Sequence, residues 1–169
     1  QLTFHTESYV VDIALKSSGL AEAVKLGLGT NFGVVDWGEG FIGSVGAASL
    51  IDDKIEHDMP EAETEHKGSV KWVALQDKYF ISALIPKTSA SAWPKKHGDK
   101  LVSTAVRFPV DPSGAPLELQ LFAGPKEFDT LAAIDRNITK AINFGMFSVI
   151  VVPLLRSLNW IHGYVGNYG

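Results

Sequence analysis

The feature that most constrains this chain is a period-two alternation of apolar and polar residues, repeated in several short runs. Tyr9, Val11, Ile13 and Leu15 alternate with Val10, Asp12, Ala14 and Lys16. In Leu101–Val110, Val102, Thr104, Val106 and Phe108 share one face, and Ser103 and Arg107 share the other. Leu117, Leu119 and Leu121 alternate with Glu118 and Gln120. Successive side chains of a strand point to opposite faces, so each run predicts a strand with one face in a core. Val70 to Leu75 and Tyr79 to Ile85 read as two further strands around Gln76-Asp77-Lys78. Asp111-Pro112-Ser113-Gly114 has the Pro and Gly placement of a type I turn. Short strands punctuated by such turns predict a mainly β fold, an antiparallel β-sandwich, over residues 1–124.

The period changes after Gly124. Phe128, Leu131, Ile134, Ile138 and Ile142 recur at spacings of three and four, the stripe of an amphipathic helix. Pro125 suits a first helical turn. Glu127 and Asp129 near the start and Lys140 near the end complement the helix dipole, and Gly145 is a stop. The expectation is a helix from Lys126 to Phe144, inside a segment 125–145 that packs on the sandwich. A second helix is expected from Met146 to Ile161, where 12 of 16 residues are apolar, counting Pro153. It spans about 24 Å at about 1.5 Å per residue, short of the roughly 30 Å hydrocarbon core of a bilayer. Arg156 at a bilayer centre would cost about 2.5–3.5 kcal/mol. A helix lying in the interface, with Ser148, Arg156 and Asn159 toward water, avoids that cost. Trp160, Tyr164 and Tyr168 are aromatics suited to headgroup depth. Packing of the same helix on the sheet is the alternative.

The net charge of −4 on 169 residues lacks the basic surplus of a nucleic-acid binder. The charge is uneven. Asp52 to Glu65 holds seven acids against Lys54, and Asn143 to Gly169 holds Arg156 as its single formal charge. With no cysteine, disulfides, thiolate nucleophiles and Cys-based metal sites are excluded.

Chemical motifs are sparse. Gly27-Leu28-Gly29-Thr30-Asn31-Phe32-Gly33 is one residue out of register for a dinucleotide loop and reads as a glycine-rich β connection. Gly40 to Gly46 reads as a turn. His57 and His66 lie among Asp58, Glu61, Glu63 and Glu65 without metal-ligand spacing, so the acidic stretch is expected to be a solvated loop. His5, His97 and His162 are isolated in sequence. Trp93-Pro94-Lys95-Lys96-His97-Gly98 is a basic turn, expected at a hairpin tip, that could touch anionic headgroups or an acidic partner. No catalytic, cofactor or metal site is expected.

Two blocks resemble the periplasmic domain of the YidC/Oxa-type membrane protein insertases, in the Gram-negative YidC branch. The first is GSVKWVALQDKYFISALIP, Gly68 to Pro86, with Trp72, Gln76, Asp77, Lys78, Tyr79 and Phe80 as signature residues. The second runs from Phe122 through FAGPKEFDTL, INFGMFSVIVVPLL and LNWIHGYVGNYG, with Gly124, Pro125, Lys126, Pro153, Gly166 and Asn167. Val152 departs from the polar or basic residue many members carry before that proline. The resemblance implies a β-supersandwich with two C-terminal helices, larger than the strands counted here, and so further strands upstream of Gln1. It implies that Gly169 stands just before the second transmembrane helix. It places 146–169 as an interfacial helix and linker, whose lipid-facing residues would be Phe147, Ile150, Leu154, Leu155, Leu158, Trp160 and Ile161.

The function implied is that of a non-enzymatic accessory domain on the periplasmic face of the inner membrane. It would support insertion and folding of nascent membrane proteins. The implied partners are the lipid surface, the Sec translocon and SecDF-type subunits. An unpaired sheet edge predicts dimerisation or strand exchange for a fragment, and could accept an extended chain. The rival reading is a periplasmic carbohydrate-binding or sugar-epimerase-like sandwich, which would need a cleft where His and carboxylate side chains converge.

Overall fold

The structure is a computed structural model that describes residues 1–16, 22–30, 46–58, 63–97, 101–110, 114–135 and 137–142, together with Val151, Pro153, Leu154, Ser157, Leu158, Trp160 and Ile161. In chain order the strands are β1 (Leu2–Phe4), β2 (Val10–Leu15), β3 (Ala23–Thr30), β4 (Gly46–Ile51), β5 (Lys54–Asp58), β6 (Val70–Gln76), β7 (Phe80–Pro86), β8 (Ser91–Ala92), β9 (Lys95–His97), β10 (Leu101–Pro109) and β11 (Leu117–Pro125). Helix α1 (Phe128–Ile134) and a 3-10 turn (Ile138–Ala141) follow. Seven strands form one sheet in the order β1-β2-β11-β7-β6-β4-β5, and β3-β10-β8 form a second with β9 also paired to β10. Every named strand pair is antiparallel. The mainly β sandwich expected from the alternation is the fold.

The core has two layers because the large sheet is covered on both faces. On one face Ile13, Val73, Leu84 and Leu119 pack against Val106 and Phe108 of β10, with Val24 and Leu26 of β3 at the margin. On the other face Val10, Leu50, Trp72, Ile81 and Phe122 pack against Leu131, Ile138 and Ala141 of the helical layer. A strand buried on both faces has no polar side to alternate with. That is why β6 and β7 read VKWVALQ and FISALIP and are buried through their middles. β10 has one core face, and its burial alternates residue by residue from Leu101 to Pro109. Val102, Thr104, Val106 and Phe108 point inward, as the sequence pattern requires.

Two hairpins are set by aspartates. Between β4 and β5, Asp52 and Asp53 both have positive φ (47° and 65°), the backbone of a two-residue I′ turn, which Asp tolerates better than most residues. Asp52 Oδ1 also accepts the Ser69 N–H at 2.9 Å. Between β6 and β7, Asp77 Oδ1 accepts the N–H groups of Tyr79 and Phe80, each at 2.6 Å. A side chain bonding backbone two and three residues ahead is the usual way Asp stabilises a turn.

Several local expectations differ from the structure. The acidic stretch is not wholly a loop, because Asp52-Asp53 is a turn and Lys54–Asp58 is an edge strand paired with β4. The basic turn is largely strand, since Lys95–His97 pairs with Leu101–Ser103. Gly27 and Gly29 lie inside β3, while residues 31–45, including most of the two glycine-rich segments, lie outside the described residues. Asp111-Pro112-Ser113 also lie outside them, and Gly114 has φ +72°.

Pro125 ends β11 instead of opening the helix, because β11 stays paired with β7 up to Pro125 opposite Phe80. The helix starts at Phe128, after Glu127 in extended conformation. It is also broken where one amphipathic helix was expected. Asp135 is extended (φ −153°, ψ 135°), its carboxylate accepts the Asn137 N–H at 2.8 Å, and the chain resumes as the 3-10 turn. The break leaves Asn137 O within 3.0 Å of the Trp72 indole Nε1, which donates to it. Leu131 and Ile138 are both fully buried, so the apolar stripe reaches the core through two short pieces.

Candidate functional site

No catalytic constellation emerges among the described residues, and none of their His, Asp and Glu side chains gather in a group of three or more that could hold a metal ion. What the structure presents instead are three surfaces.

The first is an open cleft of about 850 Å³ between the Phe4–Tyr9 connection, β2, β11 and α1. Its polar wall is organised by Asp12. His5 Nε2 lies 2.7 Å from Asp12 Oδ2, while Gln120 Nε2 (2.9 Å) and Lys87 Nζ (3.1 Å) donate to Oδ1. The His5 hydrogen bond, then those of Gln120 and Lys87, hold the Asp12 carboxyl well below the usual carboxylate range. Phe4, Tyr9 and Phe122 supply the apolar wall. Tyr9 stands edge-on to Phe122, with ring centroids 6.3 Å apart. This cluster is not readable in the sequence, because its members come from four separate segments. The one local hint is Asp12 itself, an acid within an apolar strand.

The second surface is the end of the large sheet at the β6–β7 turn, where the signature residues divide. Trp72 is 1% exposed and Gln76 is 2% exposed, and Gln76 Oε1 has no hydrogen-bond partner among the described residues. Asp77 holds the turn. Tyr79 and Phe80 are each 56% exposed, as is Tyr9 nearby, and Lys78 Nζ lies 5.1 Å from the Tyr79 ring centroid. An apolar groove of about 590 Å³ runs here between Tyr9 and Phe80 over Ala123, Gly124 and Pro125. A Cβ on Gly124 would stand 2.8 Å from Tyr9 Cγ, so the bare glycine permits that approach. Lys126 N–H donates to Tyr79 O at 2.7 Å. Partial burial pulls the Lys126 ammonium down to about 8, against a smaller opposing pull from Asp77.

The third surface is the C-terminal segment. Val151, Pro153, Leu154, Ser157, Leu158, Trp160 and Ile161 are helical, and Ser157 Oγ donates to Pro153 O one turn back, at 2.9 Å. Leu154 (55%), Leu158 (38%), Trp160 (67%) and Ile161 (45%) are exposed. Phe147, Ile150, Leu155, Gly166 and Asn167 lie outside the described residues. Among the described residues no helix is long and apolar enough to cross a membrane.

Similarity to known proteins covers all three surfaces. A family model described as the YidC periplasmic domain matches residues 1–157. A relative from Geotalea daltonii, named membrane protein insertase YidC, is 34% identical over 146 residues, covering 80% of this chain and 28% of its own length. A relative of the same name from Geobacter sulfurreducens is 34% identical over 126 residues, covering 71% of this chain and 23% of its own length. One from Maridesulfovibrio salexigens is 28% identical over 181 residues, covering 100% of this chain and 33% of its own length. The chain thus spans a third or less of the length of these relatives. With a match that runs through both sheets and the helical layer, the chain belongs to the YidC periplasmic domain family.

Proposed function

We propose that this chain is the periplasmic accessory domain of an inner-membrane protein insertase and acts by binding, without catalysis. It would sit on the outer face of the inner membrane through its C-terminal helical segment and offer the sandwich to nascent membrane proteins. The Sec translocon and SecDF-type subunits are the further partners in this reading. The observation that carries the seating is the exposure of Leu154, Leu158, Trp160 and Ile161 along one helical segment with little charge around it. Leu and Trp side chains at an interfacial helix bury apolar area at headgroup depth, with the indole N–H still hydrated.

The test is cosedimentation of the chain with vesicles containing phosphatidylglycerol. Leu158→Asp combined with Trp160→Ala should abolish most of the bound fraction while far-UV circular dichroism stays unchanged. Undiminished binding by that variant would overturn the seating.

For substrate, the exposed edge of β1 supports strand addition. Leu2 and Phe4 are 57% and 73% exposed, and among the described residues β1 is paired on one side, by β2. Photocrosslinkers at Leu2 and Phe4 should capture nascent membrane proteins. Crosslinks confined to the C-terminal helix would overturn this part.

The Asp12 cleft gives a second reading a specific foothold, since a His, a carboxylate and aromatic walls do converge there. Both Asp12 oxygens are already engaged by His5, Gln120 and Lys87, which favours a structural role. A panel of hexoses that raises the melting temperature of the parent chain but not of Asp12→Asn would favour the carbohydrate reading instead.

A further inference from the structure

The four-stranded sheet carries an extra segment along its β8 edge. His66 N–H donates to Ala92 O at 2.9 Å, and Ala92 N–H donates to His66 O at 3.0 Å. Two residues on, Thr64 N–H donates to Pro94 O at 3.1 Å. Residues 63–66 therefore lie antiparallel along this edge, in the geometry by which an extended peptide extends a sheet. Alternation places Glu63 and Glu65 on the same side of that segment.

Both glutamates meet a prepared set of donors. Arg107 of β10 stands opposite Lys25 of β3 and opposite Ser91 of β8, so these side chains form one cross-strand row. The Glu63 carboxylate takes Lys25 Nζ at 3.3 Å, Lys95 Nζ at 3.2 Å and the Trp93 indole N–H. The Trp93 ring lies beneath Lys25, 3.3 Å from its centroid, with Arg107 at 5.6 Å. Glu65 accepts the Ser91 hydroxyl at 2.7 Å and Arg107 Nη1 at 3.3 Å. These donors, Trp93 first, draw the Glu63 carboxyl down to about 2. Exposed ion pairs such as Lys25–Glu63 and Lys95–Glu63 add little to fold stability. Five donors on two carboxylates are more than a connection between β5 and β6 needs.

We propose that the β8 edge, with Lys25, Trp93, Lys95 and Arg107, is a binding site for an extended acidic peptide of a partner protein, and that residues 63–66 are its built-in competitor. The site takes acidic side chains at alternate positions, because that is the spacing of Glu63 and Glu65. Charge complementarity sets the occupant: three cations and an indole N–H converge on carboxylates and would repel a basic segment. Glu63 is held by exposed, salt-screened pairs and Glu65 by half-buried ones, and the exposed pairs leave the segment open to competition. This inference does not depend on the membrane seating.

The test uses the full chain and a fluorescein-labelled peptide of the segment's own sequence, Glu-Ala-Glu-Thr-Glu-His-Lys, read by anisotropy at low salt. Glu63→Gln with Glu65→Gln weakens the competitor, so this variant should bind the peptide about tenfold more tightly than the parent chain. Adding Lys25→Gln and Lys95→Gln should reverse that gain, and a peptide with Gln at the Glu positions should bind weakly to all forms. Equal affinity of parent and Glu variant, or binding indifferent to the two lysines, would overturn the proposal. A matching melting temperature and circular dichroism spectrum establish that each variant folds. Should the Glu variant not fold, NMR titration of the parent chain with excess peptide decides. Shifts at Lys25, Lys95 and the Trp93 indole support the site, and their absence at saturating peptide overturns it.

Discussion

The two sheets share one core but follow different rules. The large sheet is packed on both faces, so at β6 and β7 nearly every side chain has a buried environment. The small sheet is packed on one face. Its outer face carries Lys25, Trp93 and Arg107, linked to an acidic segment by one exposed and one half-buried pair. In the large sheet stability comes from area removed from water and from close packing. On the outer face of the small sheet it comes from contacts that salt and competing ligands can weaken. The stable half makes a frame, and the outer half makes a surface whose contacts can be exchanged.

The sharpest way to break this contrast is Trp72→Ala. Trp72 bridges the large sheet and the helical layer and bonds Asn137 O. Truncation should cost about 3–5 kcal/mol in urea unfolding. Loss of no more than about 1 kcal/mol, the scale expected at the outer face, would erase the distinction.

Gly124→Ala comes next. Its new Cβ would lie 2.8 Å from Tyr9 Cγ and 3.0 Å from Tyr9 Cβ, for an overpacking cost of about 1–3 kcal/mol. A double-mutant cycle with Tyr9→Ala should recover the part of that loss due to Tyr9 Cγ, while Tyr9 Cβ and Phe122 Cζ, each 3.0 Å from the new Cβ, remain. Additive losses would place the strain elsewhere.

Thr104→Val probes the inner face of the small sheet. Thr104 is 1% exposed, and its Oγ1 has no hydrogen-bond partner among the described residues. Replacing the hydroxyl with a methyl should leave stability unchanged or raise it by about 1 kcal/mol.

The smallest effect is expected from Glu63→Gln, a small loss that is present at neutral pH and vanishes in acid. The Glu63 carboxyl lies near 2 in the fold against 4.5 for the free group, so its contribution is complete above pH 4.5. That contribution fades as pH falls from 4.5 toward 2. The variant should flatten this part of the stability profile, so that its small deficit at neutral pH, most visible at low salt, closes as pH falls toward 2. An acid limb identical to that of the parent chain would show that the pairs contribute nothing.

Much of the small sheet was readable in advance and much of the large sheet's surroundings was not. The one-sided burial of Val102, Thr104, Val106 and Phe108 follows from alternation, because a strand with one wet face must declare it in its pattern. The continuous run VKWVALQ declares strand type but not what covers its second face. The break at Asp135 was hidden for a related reason. A stripe of Leu131, Ile138 and Ile142 fits one continuous helix as well as two short pieces. The choice was made by packing on Trp72 and by the Asp135–Asn137 turn. Pro125 likewise has a local preference for a helix start that pairing with Phe80 overrode.

The candidate surfaces divide in the same way. Exposure of Leu154, Leu158, Trp160 and Ile161 agrees with a nearly uncharged segment read from the chain alone. The Asp12 cluster joins Asp12 to Gln120, 108 positions away, and the Glu63 and Glu65 clamp joins β3, β10 and the β8 edge.

Local pattern settles which residues make strands and which face of a one-sided strand is apolar. Period and turn chemistry act over a few residues, and nothing distant needs to be known. Strand order, the second cover on the large sheet and the meeting of the acidic segment with Lys25, Trp93 and Arg107 belong to the tertiary structure alone. Hydrogen-bonded edges and charged side chains choose partners by proximity in space, and that proximity exists after the two sheets have packed.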